Sequence, residues 1–225
     1  MNDKSENLQK KIPSSVERRL FLYYRTLLEF SGFDMISSEG LSELSGFTAA
    51  QIRKDLTYFG QFGTPGRGYN VDQLKEKLLS ILGIDREWNV ALIGLGNLGR
   101  ALLSYQGFQK HGFRVNAVFD NNPEKIGLMY KNVLINDISD LKNVIQLNKI
   151  KIAIIAIPVN AAQSVVNELI ESGVEAILNF VPCRIKVPDN IKLLNLDMAI
   201  ELGRLSYYVT HREKKTRKKS NKKKQ

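Results

Sequence analysis

A glycine-rich turn between an apolar strand and a helix limits most strongly what this chain can fold into. Residues 89–93 are mostly apolar and predict a β-strand, and residues 100–108 predict a helix. The G-x-G-x-x-G turn between them consists of Gly94, Leu95, Gly96, Asn97, Leu98 and Gly99. The first glycine of such a turn allows a sharp bend, the second admits a pyrophosphate, and the third lets helix and strand pack closely. The motif predicts a dinucleotide site at the start of the helix.

The residues that follow the motif favour NAD(H) as the dinucleotide. Residues 113–119 predict a second strand, and Asp120 ends it about 20 residues after the motif. A carboxylate at this position can accept a hydrogen bond from the 2′-hydroxyl of the adenosine ribose. Asn121 and Asn122 come next, where an arginine would suit a 2′-phosphate. We therefore expect Asp120 and Asn121 to contact NAD(H).

Strands and helices continue to alternate along the second half of the chain. The further predicted strands are residues 151–158, 175–180 and 191–196, with a helix at 161–172. Such alternation, with nearly continuous apolar strands, is typical of a doubly wound parallel sheet. We expect an α/β Rossmann domain over residues 87–196.

The sequence contains few side chains that could perform catalysis on a bound nucleotide. His111 falls near the end of the first Rossmann helix and His211 falls in the C-terminal tail, so neither is a good general base for this site. A Tyr-x-x-x-Lys pair, the base of one large dehydrogenase class, does not occur. The roughly 110 residues of predicted sheet are one domain in size and leave no substrate domain. We expect no enzyme activity, and NAD(H) held as an effector rather than as a catalytic cofactor.

Residues 1–86 predict a small helical DNA-binding domain. Residues 16–30 carry an apolar helical face, and Ser38 is the expected N-cap of a short helix that Gly46 ends. A T-x-x-Q capping box then opens a third helix, which runs to about residue 59. This order is typical of a helix-turn-helix, with three packed helices and solvated charges as the alternative. The expected DNA contacts of the third helix are Thr48, Gln51, Arg53, Lys54 and Tyr58.

A glycine-rich segment after the third helix predicts a wing. It contains Gly63, Gly66 and Gly68 around Pro65 and Arg67. This composition favours a tight hairpin with strand edges at Phe62 and Tyr69. An arginine at a narrow hairpin tip suits insertion into the minor groove, so Arg67 and Tyr69 are further expected DNA contacts.

The basic charge of the chain is concentrated at its C-terminal end. The net charge is +10, and residues 211–225 contain nine lysines and arginines but one acidic residue. We expect this segment to be a disordered tail that either adds attraction to phosphates or only aids solubility. No apolar run reaches the roughly 18 residues of a membrane span, and the N-terminus lacks the apolar core of a signal peptide. Cys183 is the only cysteine, which excludes a cysteine zinc site. We expect a cytoplasmic protein without metal or membrane partners.

The last predicted helix is a candidate dimer interface. Residues 198–208 predict this helix, and Leu202, Leu205, Tyr208 and Val209 give it an apolar stripe. A single Rossmann domain has little left to cover such a stripe at the chain end. We expect residues 197–210 to dimerise the chain, the alternative being a helix folded back on its own domain.

In several stretches the sequence closely resembles the Rex family of redox-sensing transcriptional repressors. The resemblance runs from about residue 13 to residue 211 and includes "LYYRTL", "QIRKDLTYFGQFG", "GRGYNV", "GLGNLGRALLSYQGF", "ILNF" and "DMAIEL". It implies a homodimer with a winged helix-turn-helix domain and a Rossmann domain. It also implies a palindromic, AT-rich operator on double-stranded DNA that is released when NADH replaces NAD⁺. Relatives often carry a basic residue where this chain has Pro65, with Arg67 close behind.

The resemblance also implies where the nicotinamide ring binds. The expected cofactor contacts on that side are Tyr105, Ile157, Pro158, Asn179, Phe180, Asp197 and Met198. Arg19 is a candidate ion-pair partner of Asp197. Two other functions remain open at this point: an NAD-dependent oxidoreductase with an accessory helical domain, and a DNA-binding protein whose Rossmann domain is vestigial or binds another nucleotide such as coenzyme A.

Overall fold

The structure is a computed structural model that describes residues 12–30, 34–60, 62–63 and 66–222, with side chains as far as residue 212. The chain divides into two compact units, Met1–Glu87 and Trp88–Gln225. The sequence predicted a domain boundary after residue 86, next to this division. Each unit has its own core of buried side chains.

Within its described residues, the first unit contains helices and two short strands. They are α1 (Ser14–Glu29), β1 (Met35–Ile36), α2 (Ser38–Ser45), α3 (Ala49–Thr57), β2 (Tyr69–Asn70) and α4 (Val71–Leu82). Ser37, and not Ser38 as expected, caps α2 by accepting a hydrogen bond from the Gly40 N–H. Thr48 caps α3 by accepting from the Gln51 N–H, as the capping box predicted. The helix-turn-helix pair is therefore α2 and α3, and α3 ends at Thr57, slightly earlier than predicted.

The strand at Tyr69 pairs differently from the predicted wing hairpin. Tyr69 lies opposite Ile36 in an antiparallel pair of β1 and β2, and Phe62 lies in no strand. Gly68 explains this pairing, because a Cβ atom there would collide with the Ile36 backbone carbonyl. Only glycine allows the two chain segments to approach so closely. Pro65, which the wing prediction included, lies outside the described residues.

The second unit is an α/β sheet unit, as predicted. Its elements are β3 (Trp88–Ile93), α5 (Asn97–Leu103), α6 (Gln106–Lys110), β4 (Phe113–Asp120), β5 (Met129–Tyr130), β6 (Val133–Asp137), α7 (Leu141–Leu147), β7 (Ile152–Ile155), α8 (Val159–Glu171), β8 (Ala176–Asn179), β9 (Lys192–Asn195) and α9 (Met198–Lys222). The seven-stranded sheet has the order β5-β6-β4-β3-β7-β8-β9 and is parallel except for β5. The strand order reverses between β3 and β7, and ligands of such sheets bind at that switch point, beyond the carboxyl ends of the strands.

The helix after the glycine motif is broken, although the sequence predicted a continuous one. Tyr105 adopts an extended conformation between α5 and α6. Its ring lies over Gly107 so closely that a side chain there would collide, and it packs edge-on against Phe108. The break therefore results from a local packing arrangement that helical periodicity does not reveal.

The last helix is longer than expected and covers part of the predicted tail. Helix α9 continues to Lys222, so residues 211–222 are helical and not disordered in the structure. Lysine, arginine and glutamate are good helix formers, and they can extend a helix that has already begun. Leu202, Leu205 and Tyr208 are each more than 60% exposed, so this helix does not fold back on its own unit.

A buried carboxylate joins the helices of the first unit. Asp55 of α3 is fully buried and accepts hydrogen bonds from the Arg19 Nε at 2.6 Å and the Tyr23 hydroxyl at 2.8 Å, both on α1. The Gln51 amide also donates to it at 2.7 Å. Burial by itself would raise the pKa of Asp55, but the hydrogen bonds from Arg19, Tyr23 and Gln51 outweigh burial and hold the pKa below its usual value. Asp55 is thus charged at neutral pH and fixes α3 against α1.

Replacing Asp55 with asparagine should destabilise the first unit by about 3 kcal/mol, because the partly buried Arg19 charge loses its partner. The stabilisation from the ionised carboxylate should be present above the ordinary carboxyl pKa. It should be lost as pH falls through the lower folded-state pKa. Urea unfolding followed by circular dichroism at several pH values measures both effects.

Glu39→Gln is the matched control, since Glu39 pairs with Arg53 at the surface. That change should leave the unfolding transition nearly in place. An Asp55→Asn protein as stable as the parent at neutral pH would contradict the role assigned to this carboxylate.

Candidate functional site

The glycine motif forms a tight loop at the carboxyl end of β3. Gly94 has a φ of 93°, and a Cβ atom on it would collide with the Ala156 carbonyl at the end of β7. A Cβ atom on Gly99 would collide with the Gly94 carbonyl, so α5 packs directly on the loop. Around Gly96, by contrast, no atom lies within 4 Å of the Cβ position. The loop is closed on its protein side and leaves open space where a phosphate would bind.

The start of α5 fits an anionic group. Gly96 is the N-cap of this helix and carries no side chain to bind the first N–H groups, and Asn97 beside it is exposed. Uncapped N–H groups at a helix start can bind phosphate oxygens. Leu95 belongs to the motif, but its side chain is buried and its N–H already donates to Asp120 at 2.9 Å, so this N–H does not face a phosphate. The residues present therefore fit a pyrophosphate, with Leu95 supporting the loop.

Asp120 lies where the ribose of a dinucleotide would be expected, at the carboxyl end of β4. Its Oδ2 accepts from the Leu95 N–H and from the Lys125 ammonium, both at 2.9 Å, and its Oδ1 accepts from the Asn122 N–H at 2.9 Å. Burial would raise the pKa of Asp120, but these contacts, led by Lys125, outweigh burial and keep the pKa below its usual value. Asn121 is exposed beside it. Sequence reasoning missed Lys125, whose contact depends on the turn at residues 121–125.

The residues expected near the nicotinamide ring follow three neighbouring strands at the same edge of the sheet. Ile157 and Pro158 come after β7, Phe180 comes after β8, and Asp197 and Met198 come after β9. The Asp197 carboxylate caps α9 by accepting from the Ala199 N–H at 2.8 Å.

Asn179, also expected at the ring, has a structural role in its own chain. Its buried side-chain amide donates to the Val181 carbonyl and to Asn195, and its amide oxygen accepts from the Val181 N–H. These bonds hold the end of β8 to that of β9. Asn179 therefore shapes the edge with its side chain, which is not free for a ligand.

Tyr105 lies away from this edge within its own chain. It lines a cleft with Phe113 and Arg114 at the amino end of β4, whereas Asp120 ends that strand. An eight-residue strand is roughly 23 Å long, so the two ends of β4 are far apart. Within its own chain Tyr105 therefore lies beside the start of β4, and its contact with the ring stays a prediction. The sequence did not reveal this position, because the break before α6 was not predicted.

Three of the expected DNA contacts of the first unit, Arg53, Arg67 and Tyr69, line one cleft. Arg53 and Thr57 of α3 line it on one side, and Phe62 and Arg67 of the glycine-rich segment line it on another. Thr48, Lys54, Tyr58 and Arg67 are exposed, as a DNA-binding surface requires. Tyr69 is only 8% exposed, so its ring supports the cleft and is not presented to a ligand.

Three of the polar side chains singled out in the first unit already have partners in it. Arg53 donates to the Ser38 hydroxyl at 2.8 Å and to Glu39 at 2.9 Å, so Glu39 orients the arginine across the cleft. Gln51 and Arg19 both donate to Asp55. Arg19 thus has an ion-pair partner other than Asp197, the one suggested from the sequence.

The described residues contain neither a candidate metal centre nor a helix suited to span a membrane. Among them, no three or more histidine, cysteine, aspartate or glutamate side chains are grouped as metal ligands would be. None of the helices found there has the length and apolar character needed to cross a membrane.

Two family profiles match the two units. The putative DNA-binding protein N-terminus profile matches residues 11–57, and the CoA binding domain profile matches residues 85–183. The second profile describes a Rossmann-like domain, in agreement with the sheet.

Curated relatives and solved structures match nearly the whole chain. The redox-sensing transcriptional repressor Rex of Syntrophobacter fumaroxidans is 44% identical over 89% of this chain and 97% of its own length. Rex of Desulfitobacterium hafniense is 44% identical over 88% and 96%. The structure of RSP in complex with beta-NAD⁺ and operator DNA has 41% identity and a TM-score of 0.85, over 92% of this chain and 96% of that one. RSP in complex with beta-NADH has 39% identity and a TM-score of 0.82, over 93% and 99%. These matches confirm the resemblance that the sequence motifs indicated, and the chain belongs to the Rex family of redox-sensing transcriptional repressors.

Proposed function

We propose that this protein is a repressor that senses the ratio of NADH to NAD⁺, binds a palindromic, AT-rich operator as a homodimer and is released from it by NADH. The observation that carries the proposal is the match over 92% of the chain to a relative solved with both NAD⁺ and operator DNA. The chain has a helix-turn-helix in one unit and an open glycine loop in the other, which are the two sites that this function requires. We further propose that it is not an enzyme and acts in the cytoplasm, where operator DNA lies.

The runner-up function is an NAD-dependent oxidoreductase with an accessory helical domain. Relatives matched over almost their full length are repressors, which favours a regulator. A regulator also accounts for the cleft between Arg53 and Arg67, which an oxidoreductase does not need. Coenzyme A in place of NAD(H) is less favoured, because Asp120 lies where a ribose hydroxyl acceptor is needed.

The glycine loop and the edge beside it would hold NAD(H). The N–H groups of Asn97 and Leu98 would bind the pyrophosphate beside Gly96, and Asp120 would accept the ribose hydroxyl. When bound, the cofactor supplies a ring that is cationic in NAD⁺ and neutral in NADH. Ile157, Phe180 and Met198 would surround that ring with apolar side chains, which disfavours the cation through desolvation.

Release of DNA requires that NADH bind the released state more tightly than the DNA-bound state. A hundredfold loss of operator affinity corresponds to about 2.7 kcal/mol of coupling. Asp197 is our candidate for a group whose surroundings change between the states, because its carboxylate caps α9 and it directly precedes Met198 at the expected ring edge. Its carboxylate would favour the cationic ring, opposing the apolar side chains.

Helix α9 would form the dimer. Its apolar residues Leu202, Leu205, Tyr208 and Val209 are all more than half exposed in one chain, which is costly unless a second chain covers them. A two-fold dimer would also present one α3 helix to each half of a palindromic operator. The function of the basic segment after residue 211 stays a prediction.

The function is tested by titrating operator DNA with the full chain in NADH and, separately, in NAD⁺. NADH should weaken binding strongly and NAD⁺ should not. In Asp197→Asn the helix cap is kept, since asparagine also caps well, but the charge is lost. This variant should still bind NADH yet release DNA far less at the same NADH concentration.

Asp197→Ala distinguishes capping from charge, because it removes both. Equal uncoupling in the two variants assigns the effect to the charge. If Asp197→Asn lets go of the operator as the parent does, this residue does not transmit the signal. If NADH leaves the parent on its operator, the proposed function itself is wrong.

Arg53→Ala should weaken operator binding by about 1–3 kcal/mol and relax its sequence specificity, because a base-edge contact is lost. Mobility-shift titrations with operator and with scrambled duplex measure both effects. Lys54→Ala should weaken binding to both duplexes by the same factor, since phosphates carry no sequence information. An Arg53→Ala protein with the parent's affinity and specificity would contradict the assignment of α3 as the recognition helix.

A further inference from the structure

Lys125 lies in the ribose end of the candidate cofactor site, although no motif includes it. Its ammonium donates to Asp120 Oδ2 at 2.9 Å and to the Leu95 carbonyl at 3.3 Å. A turn brings the lysine back there: the Asn122 carbonyl accepts from the Lys125 N–H, and the Asn122 side chain accepts from the Glu124 N–H. The ammonium thus joins the loop after β4 to the glycine loop after β3.

The Asp120 carboxylate has little hydrogen-bonding capacity left. A carboxylate has about four acceptor positions. The Leu95 N–H and Lys125 use those on Oδ2, and the Asn122 N–H uses one on Oδ1. One position on Oδ1 therefore remains for a ribose hydroxyl. The Asp120 side chain is only 7% exposed, so its contacts largely fix its direction.

The ion pair of Asp120 and Lys125 also changes the net charge at the ribose end of the site. An acidic residue at the end of the second Rossmann strand is expected to disfavour a 2′-phosphate through repulsion between like charges. Here the Lys125 ammonium compensates the charge of Asp120 at 2.9 Å, and the Lys125 side chain remains 25% exposed. Repulsion by Asp120 and attraction by Lys125 act on a nearby phosphate over similar distances, so they largely cancel.

We propose that Lys125 is a specificity-determining residue of the cofactor site, which holds Asp120 towards the ribose and weakens the rejection of the 2′-phosphorylated cofactor. The proposal rests on the proposed function in that the glycine loop binds NAD(H). It predicts that the choice between NADH and NADPH depends on the pair and not on Asp120 alone. Removing the lysine should make the site more selective for NADH while weakening it.

The test is a set of titrations of the full chain with NADH and with NADPH in the absence of DNA. The fluorescence of the nicotinamide ring monitors binding. In Lys125→Met, NADH affinity should fall a few-fold because Asp120 loses a support. NADPH affinity should fall about tenfold further, since an uncompensated carboxylate then faces the phosphate. The ratio of the two affinities is the decisive readout, because a lysine with a purely structural role would weaken both cofactors alike.

Two further variants separate position from charge. Lys125→Gln can still donate a hydrogen bond, so NADH affinity should approach that of the parent while the ratio stays shifted. Lys125→Arg keeps the charge and should restore the parent ratio. High salt should reduce the difference between parent and Lys125→Gln, since charges near solvent are screened.

Lys151→Met is the matched control. Lys151 also pairs with a carboxylate, Glu175 at 2.7 Å, and donates to a backbone carbonyl, but it lies at the amino end of β7. This change should leave the ratio unaltered. An unaltered ratio in Lys125→Met, with a parent that binds NADH, would overturn the proposal and leave the proposed function standing. A parent that binds neither cofactor would overturn both.

Discussion

The close approach of the glycine loop to its neighbours is the constraint on which the nucleotide-binding unit depends. Gly94 lies against the end of β7 and Gly99 lies against Gly94, so strand, loop and helix meet without side chains between them. This contact places the start of α5 at the switch point of the sheet, beside the ends of β4 and β7. The open position at Gly96 is then the place where a phosphate can approach the backbone. A side chain at Gly94 or at Gly99 would separate these elements.

Each unit also contains a buried aspartate that accepts hydrogen bonds from separate parts of the chain. Asp55 joins α1 to α3, and Asp120 joins the loop after β3 to the loop after β4. Both carboxylates are kept charged by their donors in spite of burial. A buried carboxylate of this kind favours one arrangement of its neighbours, because any other leaves charges unpaired. The two aspartates therefore fix the orientation of α3, the proposed DNA-reading helix, and of the loops at the ribose end of the candidate cofactor site.

Local signals predicted most of the fold. The misses depend either on a distant contact or on local turns and packing that carry no strong sequence signal. The glycine motif, the cap at Thr48 and the apolar strands are set by a few adjacent residues, and they were predicted well. The pairing of Tyr69 with Ile36 was missed, since it depends on the approach of Gly68 to a strand more than 30 residues earlier. Lys125 was missed because its role comes from a turn that carries no strong sequence signal. The helix break at Tyr105 likewise arises from ring packing, which helical periodicity does not reveal.

The central claim is that one chain couples NADH binding to operator binding. Coupling between two ligands is reciprocal, so operator DNA must weaken NADH binding by the same factor by which NADH weakens operator binding. The most direct measurement is therefore the NADH dissociation constant of the full chain by calorimetry, without DNA and with saturating operator duplex. The account predicts a weaker NADH affinity on operator, by a factor equal to that from DNA titrations, and no such change with a scrambled duplex. The same NADH affinity with and without operator would contradict it.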